Sequence, residues 1–144
     1  DIQANGLAVI SGLADIANAR LTFENGCVAN VTASRISLNP MRKMRIFQPE
    51  HYITIDFQKG STEMYALKKQ GSDLSGDRVI PMEGSDKVIV YTNQELPQLD
   101  AMYAEQAAFA RSIRLQQTPV VSGRDGMEAL RIADLINQQL LVQV

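Results

Sequence analysis

Hydrophobic and polar positions alternate every second residue along about the first two thirds of the chain, and recur every three to four residues in the last third. The first pattern is typical of half-buried β-strands and the second of amphipathic α-helices. Composition changes at the same place, since residues 1–92 hold most of the β-branched residues and the helix formers Ala, Leu, Gln, Met and Glu follow from residue 97. We therefore predict one α+β domain over residues 1–144, an open, mainly antiparallel β-sheet with helices packed on one face and two C-terminal helices.

The clearest local signal is a β-hairpin from Asp15 to Ile36 around Glu24-Asn25-Gly26. Two registers compete, and a one-residue slip moves every side chain to the other face. A loop of Asn25-Gly26 alone mixes polar and apolar positions. A three-residue loop makes one face apolar throughout, through the facing pairs Phe23–Cys27, Leu21–Ala29, Ala19–Val31 and Ala17–Ala33, closing at Asp15–Arg35. We predict this second register, with a type I turn, Gly26 in the left-handed conformation and a bulge.

The other face of this hairpin is polar yet almost uncharged. It carries the pairs Thr22–Val28, Arg20–Asn30, Asn18–Thr32 and Ile16–Ser34. A face of this kind can meet water or a partner surface.

A second antiparallel pair joins Lys43–Gln48 to Tyr52–Phe57 through Pro49-Glu50. One face then holds the pairs Met44–Ile55 and Ile46–Ile53, and the other holds Phe47–Tyr52, Arg45–Thr54 and Lys43–Asp56. Proline does not suit the primed two-residue turns, so a four-residue loop with the same pairing is an equal alternative. Beyond it we predict a strand over Thr62–Lys69 of open register, a loop from Gly71 to Gly76, and a strand over Lys87–Tyr91.

The last third predicts two helices. The first runs from about Pro97 to Gln116, with the apolar stripe Leu99, Met102, Tyr103, Phe109, Ala110 and Ile113. Thr118-Pro119 ends it. The second begins after Ser122, which forms a capping box with Asp125, and its predicted buried stripe is Met127, Leu130, Ala133, Ile136 and Leu140.

Charge and cysteine content exclude several classes of protein. With 14 Lys and Arg against 16 Asp and Glu, the net charge is −2, which offers no electrostatic footprint for nucleic acid or an anionic membrane. No apolar run approaches the roughly 18 residues needed to span a bilayer. The single cysteine, Cys27, rules out an internal disulfide and fits a reducing compartment, so we expect a cytoplasmic protein.

Groups able to do chemistry are scarce. The single histidine, His51, lies beside a turn, and Cys27 falls on the apolar face of the first hairpin, so neither suggests a catalytic or metal site. No glycine-rich phosphate loop and no G-x-G-x-x-G turn is present, so we expect no cofactor on this chain alone. The acidic residues are scattered and form no paired-carboxylate spacing.

One concentration of charge, the basic residues 35–45, has two interpretations. In the first, Lys43 and Arg45 line a wet sheet face and pair with Asp56. In the second, Arg35, Arg42 and Lys43 approach a substrate phosphate or carboxylate from the loop between the hairpins, because guanidinium groups suit bidentate anion contacts.

Three segments together resemble a known family. They are D-I-A-N-A-R-L-T-F-E-N-G-C-V-A-N-V-T-A-S-R at residues 15–35, M-R-K-M-R-I-F at residues 41–47, and P-V-V-S-G-R-D-G-M-E-A-L at residues 119–130. In order and spacing they are similar to the C-terminal domain of the glucose-fructose oxidoreductase / inositol dehydrogenase / rhizopine catabolism (Gfo/Idh/MocA) family. The first segment is most similar to members acting on nucleotide-linked amino sugars.

The resemblance implies a longer enzyme with an N-terminal Rossmann domain that binds NAD or NADP, and hydride transfer at a sugar, cyclitol or nucleotide-sugar hydroxyl. It also implies a homo-oligomer packed through the polar sheet face, formed by Asn18, Arg20, Thr22, Val28, Asn30 and Thr32. The family's catalytic residues have no counterparts here: no lysine precedes a proline, and Phe47 stands four residues before His51 where the D-x-x-x-H motif needs Asp. We therefore expect this chain alone to be inactive.

A second hypothesis belongs to a different class of protein. The same open sheet face would serve a freestanding interaction module that has no enzymatic activity and binds a foreign protein.

Overall fold

Eight strands and two helices make up the computed structural model of the chain, which describes residues 1–97 and 100–141. In chain order they are β1 (Ile2–Leu7), β2 (Ile16–Thr22), β3 (Val28–Ser34), β4 (Lys43–Gln48), β5 (His51–Asp56), β6 (Ser61–Lys69), β7 (Arg78–Pro81), β8 (Lys87–Glu95), α1 (Ala101–Leu115) and α2 (Gly123–Leu141). Two antiparallel sheets and two C-terminal helices confirm the predicted α+β class. The chain divides into two compact units, Asp1–Asn39 with the chain from Ala104 onward, and Pro40–Tyr103.

The first unit contains a three-stranded sheet in the order β1-β2-β3. The β2–β3 register is the predicted one, with Leu21 opposite Ala29 and Ala19 opposite Val31. Gly26 has a φ of 83°, which confirms the left-handed turn residue. The alternation of polar and apolar side chains therefore sets this register, as expected for a sheet with one covered face.

Helix α2 packs on the apolar face of this sheet through its C-terminal half. Leu140 is buried with Ala4 and Ala19, and Ile136 lies against the same cluster. The close approach depends on small residues: a Cβ added at Gly6 would lie 2.9 Å from the carbonyl oxygen of Ile16 and 3.0 Å from a methyl carbon of Leu140. A larger residue at position 6 would therefore press on the backbone of β2 and displace the Leu140 side chain.

The predicted helix stripes are only partly correct. Met127, Leu130 and Ala133 of α2 are exposed, as are Met102, Tyr103, Phe109, Ala110 and Ile113 of α1; Leu99 lies outside the described residues. Within the described part of α1 the buried residue is Ser112. Periodicity identifies the apolar side of a helix but not the length of it that a sheet covers, and α2 meets β1 only near its C-terminal end. Cys27 was predicted to lie in the core but is exposed. The reason is similar, because α2 covers β1 and β2 and does not reach the turn just before β3, where Cys27 lies.

The N-terminal ends of α1 and α2 are close to the predicted positions. The capping box is confirmed, since the backbone N–H of Asp125 donates to the Ser122 hydroxyl at 3.3 Å while the Asp125 carboxylate accepts from the Ser122 backbone N–H at 2.7 Å. The Ser122 hydroxyl also donates to the Asp125 carboxylate at 2.7 Å, and this bond, followed by that from the Ser122 backbone N–H, holds the pKa of Asp125 below its ordinary value. Helix α1 begins at Ala101 rather than near Pro97, and Asp100 accepts hydrogen bonds from the N–H groups of Met102 and Tyr103.

The second unit is a five-stranded sheet in the order β4-β5-β6-β8-β7. The predicted β4–β5 register is confirmed, with Met44 opposite Ile55 and Lys43 opposite Asp56. The strands are joined by the two-residue loop Pro49-Glu50, in which only Glu50 has a positive φ, 65°. Proline cannot adopt positive φ, so this loop differs from the primed turns by the position of its left-handed residue.

The sequence pattern did not predict two of the strands, β1 and β7. Strand β1 contains Ala4, Asn5 and Gly6, whose small and turn-forming side chains weaken the alternation signal. Strand β7 has four residues and ends at Pro81 on the sheet edge, where proline is tolerated. Strands β6 and β8 were predicted but are longer than expected. Strand β6 begins at Ser61 rather than Thr62, and β8 ends at Glu95 rather than Tyr91.

Gln139 gives a test of how α2 is held on β1. Its amide donates to the Ile2 carbonyl at 2.7 Å and accepts from the Ala4 N–H at 2.8 Å, so it covers part of the open edge of β1. Gln139→Ala removes both hydrogen bonds and should lower the free energy of unfolding by about 2 kcal/mol, roughly 1 kcal/mol for each bond. Urea denaturation measures the loss.

Gln138→Ala is the matched control for this experiment. The amide of Gln138 bonds to Asp134 of the same helix at 2.8 Å and is exposed, so its loss should change stability by less than about 0.5 kcal/mol. Equal effects of the two substitutions would contradict the assigned role of Gln139.

Candidate functional site

A buried carboxylate organises the loop between β1 and β2. The side chain of Asp15 is fully buried, and one of its oxygens accepts the backbone N–H groups of Val9, Ile10 and Ser11 at 2.7, 2.7 and 3.0 Å. The other oxygen accepts from the Ser11 hydroxyl at 2.8 Å and from Nε of Arg35 at 2.8 Å. The loop therefore wraps its backbone donors around one anion, as expected where a buried charge needs several partners.

These contacts fix the charge state of Asp15. The N–H groups of Ile10 and Val9 are the main cause that holds the pKa of this carboxyl far below its ordinary value, against the opposing effect of burial. A carboxylate held ionised in this way is a poor proton donor or acceptor near neutral pH. Asp15 therefore acts as a fixed structural charge.

Arg35, the first of the predicted anion-binding residues, is the cationic partner of this carboxylate. Its guanidinium also donates to the Ser11 hydroxyl at 3.2 Å and to the Ala14 carbonyl at 3.1 Å, and its side chain is 54% exposed. Arg35 therefore braces the loop with one side of the guanidinium and presents the other side to solvent.

A groove of about 670 Å³ opens beside this ion pair within the first unit. Its walls are mostly small or apolar residues of β1, β2 and the loop, and its polar side chains are few. The lining residues are Gly6, Ala8, Gly12, Leu13, Ala14, Asp15, Ala17, Ala33, Ser34, Arg35, Asn137 and Leu140. The groove holds no nucleophile paired with a base, so its chemistry is that of binding.

The other two predicted anion-binding residues, Arg42 and Lys43, belong to the second unit. Nζ of Lys43 lies 3.2 Å from a carboxylate oxygen of Asp56, the contact expected in the first interpretation of the basic cluster. Asp56 also accepts the backbone N–H groups of Lys59 and Gln58, and the Lys59 contact is the main cause of its lowered pKa. Among the described residues Arg42 has no ion pair, so its guanidinium remains available to a ligand.

The polar face of the first sheet has the predicted composition. Thr32 donates to the Asn18 side chain at 2.8 Å, and Arg20 donates to the Asn30 side chain at 3.3 Å. Thr22 lies opposite Val28, and all six predicted residues are exposed. Strand β1, which the sequence pattern did not predict, extends this face by Gln3 and Asn5.

A row of aromatic residues crosses the second sheet and was found only in part from sequence. Phe47 faces Tyr52, as the predicted pairing requires, and the row continues through Tyr65 and Tyr91. The β6 register was open at the sequence level, so the two further rings could not be placed. Burial is the main cause that raises the pKa of Tyr91, and the nearby Glu63 charge adds to it.

The remaining reactive side chains form no further site in the part of the chain that the structure describes. His51 is exposed, with Nδ1 3.4 Å from the Pro49 carbonyl oxygen. Among the described residues there is no group of three His, Cys, Asp or Glu side chains arranged to hold a metal. No helix in the described ranges combines the length and apolarity needed to cross a bilayer.

Comparisons with known proteins find that the chain is similar to part of a dehydrogenase. No protein-family model matches the chain. Over 133 residues, or 92% of this chain, it is 32% identical to UDP-N-acetylglucosamine 3-dehydrogenase of Acidithiobacillus ferrooxidans. Two solved structures of UDP-N-acetylglucosamine 3-dehydrogenase GnnA from that organism superpose on 97% of the chain, with TM-scores of 0.78 and 0.75 and 28% identity.

The similarity covers nearly all of this chain but less than half of those proteins. The chain spans 39% of the sequence relative and 40% and 39% of the two solved chains. It is therefore homologous to one part of a longer dehydrogenase.

The role assigned to Asp15 predicts a specific dependence of stability on pH. Since folding lowers the pKa of this carboxyl, its charge stabilises the folded state above the unfolded pKa of about 4, and that contribution disappears as pH falls through the lower folded pKa. Asp15→Asn should therefore unfold at lower urea concentration near neutral pH, and the difference should shrink below pH about 4.

Asp86→Asn is the control, because Asp86 is exposed in a turn and its side chain is outside the Asp15 network. It should leave the urea midpoint unchanged across the same pH range. A midpoint for Asp15→Asn equal to that of the unchanged chain near neutral pH would show that the loop does not depend on the carboxylate.

Proposed function

We propose that the chain is the C-terminal domain of an NAD(P)-dependent oxidoreductase of the Gfo/Idh/MocA family that acts on a hydroxyl of a nucleotide sugar. The observation that carries this proposal is the 32% identity over 92% of the chain to a protein named UDP-N-acetylglucosamine 3-dehydrogenase. The superposition on solved structures of that name supports it. Among the sugar, cyclitol and nucleotide-sugar substrates left open by the sequence, these names favour the nucleotide sugar.

The cofactor site belongs, in this proposal, to an N-terminal Rossmann domain. Nicotinamide dinucleotides are held at the turn between a parallel strand and a helix, with the pyrophosphate at the helix N-terminus. The described strands pair only antiparallel, and no glycine-rich turn connects a strand to α1 or α2. The residues present do not fit the dinucleotide, so we assign them no step of hydride transfer.

The chain supplies surfaces in this proposal. The exposed apolar side chains of α1 and α2, including Phe109, Ile113, Met127 and Leu130, are a surface that a further domain would cover. The polar face of the first sheet, Asn18, Arg20, Thr22, Val28, Asn30 and Thr32, is the surface we propose for packing against a second subunit.

We propose two separate candidates for the substrate anion, Arg42 with Lys43 in the second unit and Arg35 in the first unit. Arg42 is the strongest of the three, since the described residues supply a carboxylate partner to each of the other two but none to Arg42. Arg35 contributes only the exposed side of its guanidinium. A planar guanidinium group can pair with two oxygens of one carboxylate or phosphate.

The proposed activity is tested in the longer protein that contains this chain. Incubation with UDP-N-acetylglucosamine and NAD or NADP should produce reduced nicotinamide, followed by its absorbance. The 144-residue chain alone should produce none. Failure of the longer protein with several nucleotide sugars, together with specific binding of an unrelated protein to the sheet face, would favour the interaction-module hypothesis.

Arg42→Gln tests the anion site in the same enzyme. Loss of one charged hydrogen bond, worth roughly 1.5 kcal/mol, should raise the Michaelis constant for the nucleotide sugar about tenfold and leave that for NAD unchanged. Arg78→Gln, a change of another exposed arginine of the second unit, is the control and should alter neither constant. An unchanged constant in Arg42→Gln would reduce Arg42 to surface charge.

A further inference from the structure

The aromatic row of the second unit contains four rings, of which the first three are stacked. Phe47, Tyr52, Tyr65 and Tyr91 occupy facing positions on β4, β5, β6 and β8. Successive ring centroids lie 4.8, 5.7 and 5.0 Å apart, and the first two pairs are inclined by only 15° and 22°. The third pair, Tyr65 and Tyr91, is tilted by 51°, so Tyr52 is the ring with both faces stacked against neighbours, an arrangement that aromatic side chains favour.

The two ends of the row differ. Beyond Tyr91 the row continues to Arg78 on β7, and the Tyr91 hydroxyl donates to Glu63 at 3.3 Å. At the other end β4 is an edge strand of the described sheet, and Phe47 is 75% exposed. The outer face of the Phe47 ring is therefore the open position of the stack.

Basic side chains follow Phe47 on the same face of β4. Residues two apart on a strand point to the same side and lie about 6.7 Å apart, which places Arg45 and then Lys43 in line with the ring. Lys43 is paired with Asp56, whereas Arg45 has no ion pair among the described residues and lies opposite the neutral Thr54. An open aromatic face and an available guanidinium thus lie side by side along one edge.

We propose that this edge of the sheet binds a nucleoside diphosphate. The base stacks on the outer face of Phe47 as a fifth ring, and the phosphates lie along β4 against Arg45, with Lys43 beyond. Aromatic stacking accepts any base, so the site itself selects a nucleotide with a diphosphate and not a particular base. That the nucleotide is the uridine diphosphate of a nucleotide sugar rests on the proposed function.

The geometry disfavours a bare sugar as the ligand. Both faces of the Tyr52 ring are covered by stacking, which leaves the outer face of Phe47 for a ligand. A neutral sugar would also leave Arg45 without a partner. An alternative role for charged residues on an edge strand is to prevent pairing with another chain. That role alone predicts no nucleotide binding.

Titration of the 144-residue chain by NMR and calorimetry tests the site directly, with UDP, UMP, uridine and pyrophosphate as ligands. UDP should bind more tightly than UMP, uridine or pyrophosphate, because it alone combines the base with two phosphates. ADP should bind within a few fold of UDP, and added salt should weaken both. Absence of UDP binding would overturn the proposal.

Substitutions distinguish the base contact at Phe47 from the phosphate contact at Arg45. Phe47→Ala should weaken UDP binding about fivefold or more, as for loss of one base–aromatic stack, and leave pyrophosphate binding unchanged. Phe47→Leu keeps an apolar side chain on the strand and should have a similar effect, so a folding defect in one variant does not decide the test. Arg45→Gln should weaken both UDP and pyrophosphate, and the near-ultraviolet circular dichroism of the stacked tyrosines reports whether each variant is folded.

Two controls match these changes in residue type. Phe57→Ala removes an exposed phenylalanine just beyond β5, outside the stack, and Arg78→Gln removes the arginine opposite Tyr91 at the far end of the row. Neither should weaken UDP binding by as much as twofold. Equal losses in Phe57→Ala and Phe47→Ala, or in Arg78→Gln and Arg45→Gln, would overturn the assignment.

The result is independent of the proposed dehydrogenase activity. If the longer protein oxidises a UDP-sugar and Phe47→Leu changes neither UDP binding nor the Michaelis constant, the function stands and this site is wrong. If UDP binds at Phe47 and the longer protein has no dehydrogenase activity, the site stands and the proposed function is wrong.

Discussion

The first unit depends on one buried negative charge. A carboxylate removed from water is tolerated only when its oxygens are fully hydrogen-bonded, and Asp15 has three backbone donors, a hydroxyl and a guanidinium. Meeting that requirement folds the loop between β1 and β2 back over the start of β2. It also ties the end of β3 to the same point through Arg35. The groove beside α2 has this loop as one wall, so its shape follows from the charge.

The second unit depends instead on strand register. Its five strands have two differently composed faces, one with Ala66, Val88 and Val90 buried and the other with the aromatic row. A slip of one residue at any strand would exchange these faces and break the ring stack. The open end at Phe47 and the basic residues beside it are therefore consequences of the same register that buries the aliphatic side chains.

Sequence reasoning succeeded where a local pattern has only one consistent solution. The hairpin around Gly26, the Met44–Ile55 pairing and the Ser122–Asp125 capping box each follow from side chains within a few residues of the turn or helix end. It failed where the outcome depends on distant contacts. Strand β1 is held by β2 and by Gln139, 135 residues beyond Ala4, and no periodicity within β1 reveals either partner.

The candidate anion-binding residues were predicted from their charge alone, and charge does not reveal which groups they contact in the fold. The closing pair Asp15–Arg35 follows from the hairpin register, but the loop donors around Asp15 come from residues with no regular pattern. The aromatic row required the β5–β6 and β6–β8 registers together, which are long-range pairings. The order of the units along the chain has a further consequence for synthesis on the ribosome. Residues of the second unit are contiguous and can assemble as they emerge, whereas β1 must wait for the last turns of α2. Its free edge is consequently exposed to chaperones, and to neighbouring nascent chains, from the emergence of β1 until the end of α2 has been synthesised.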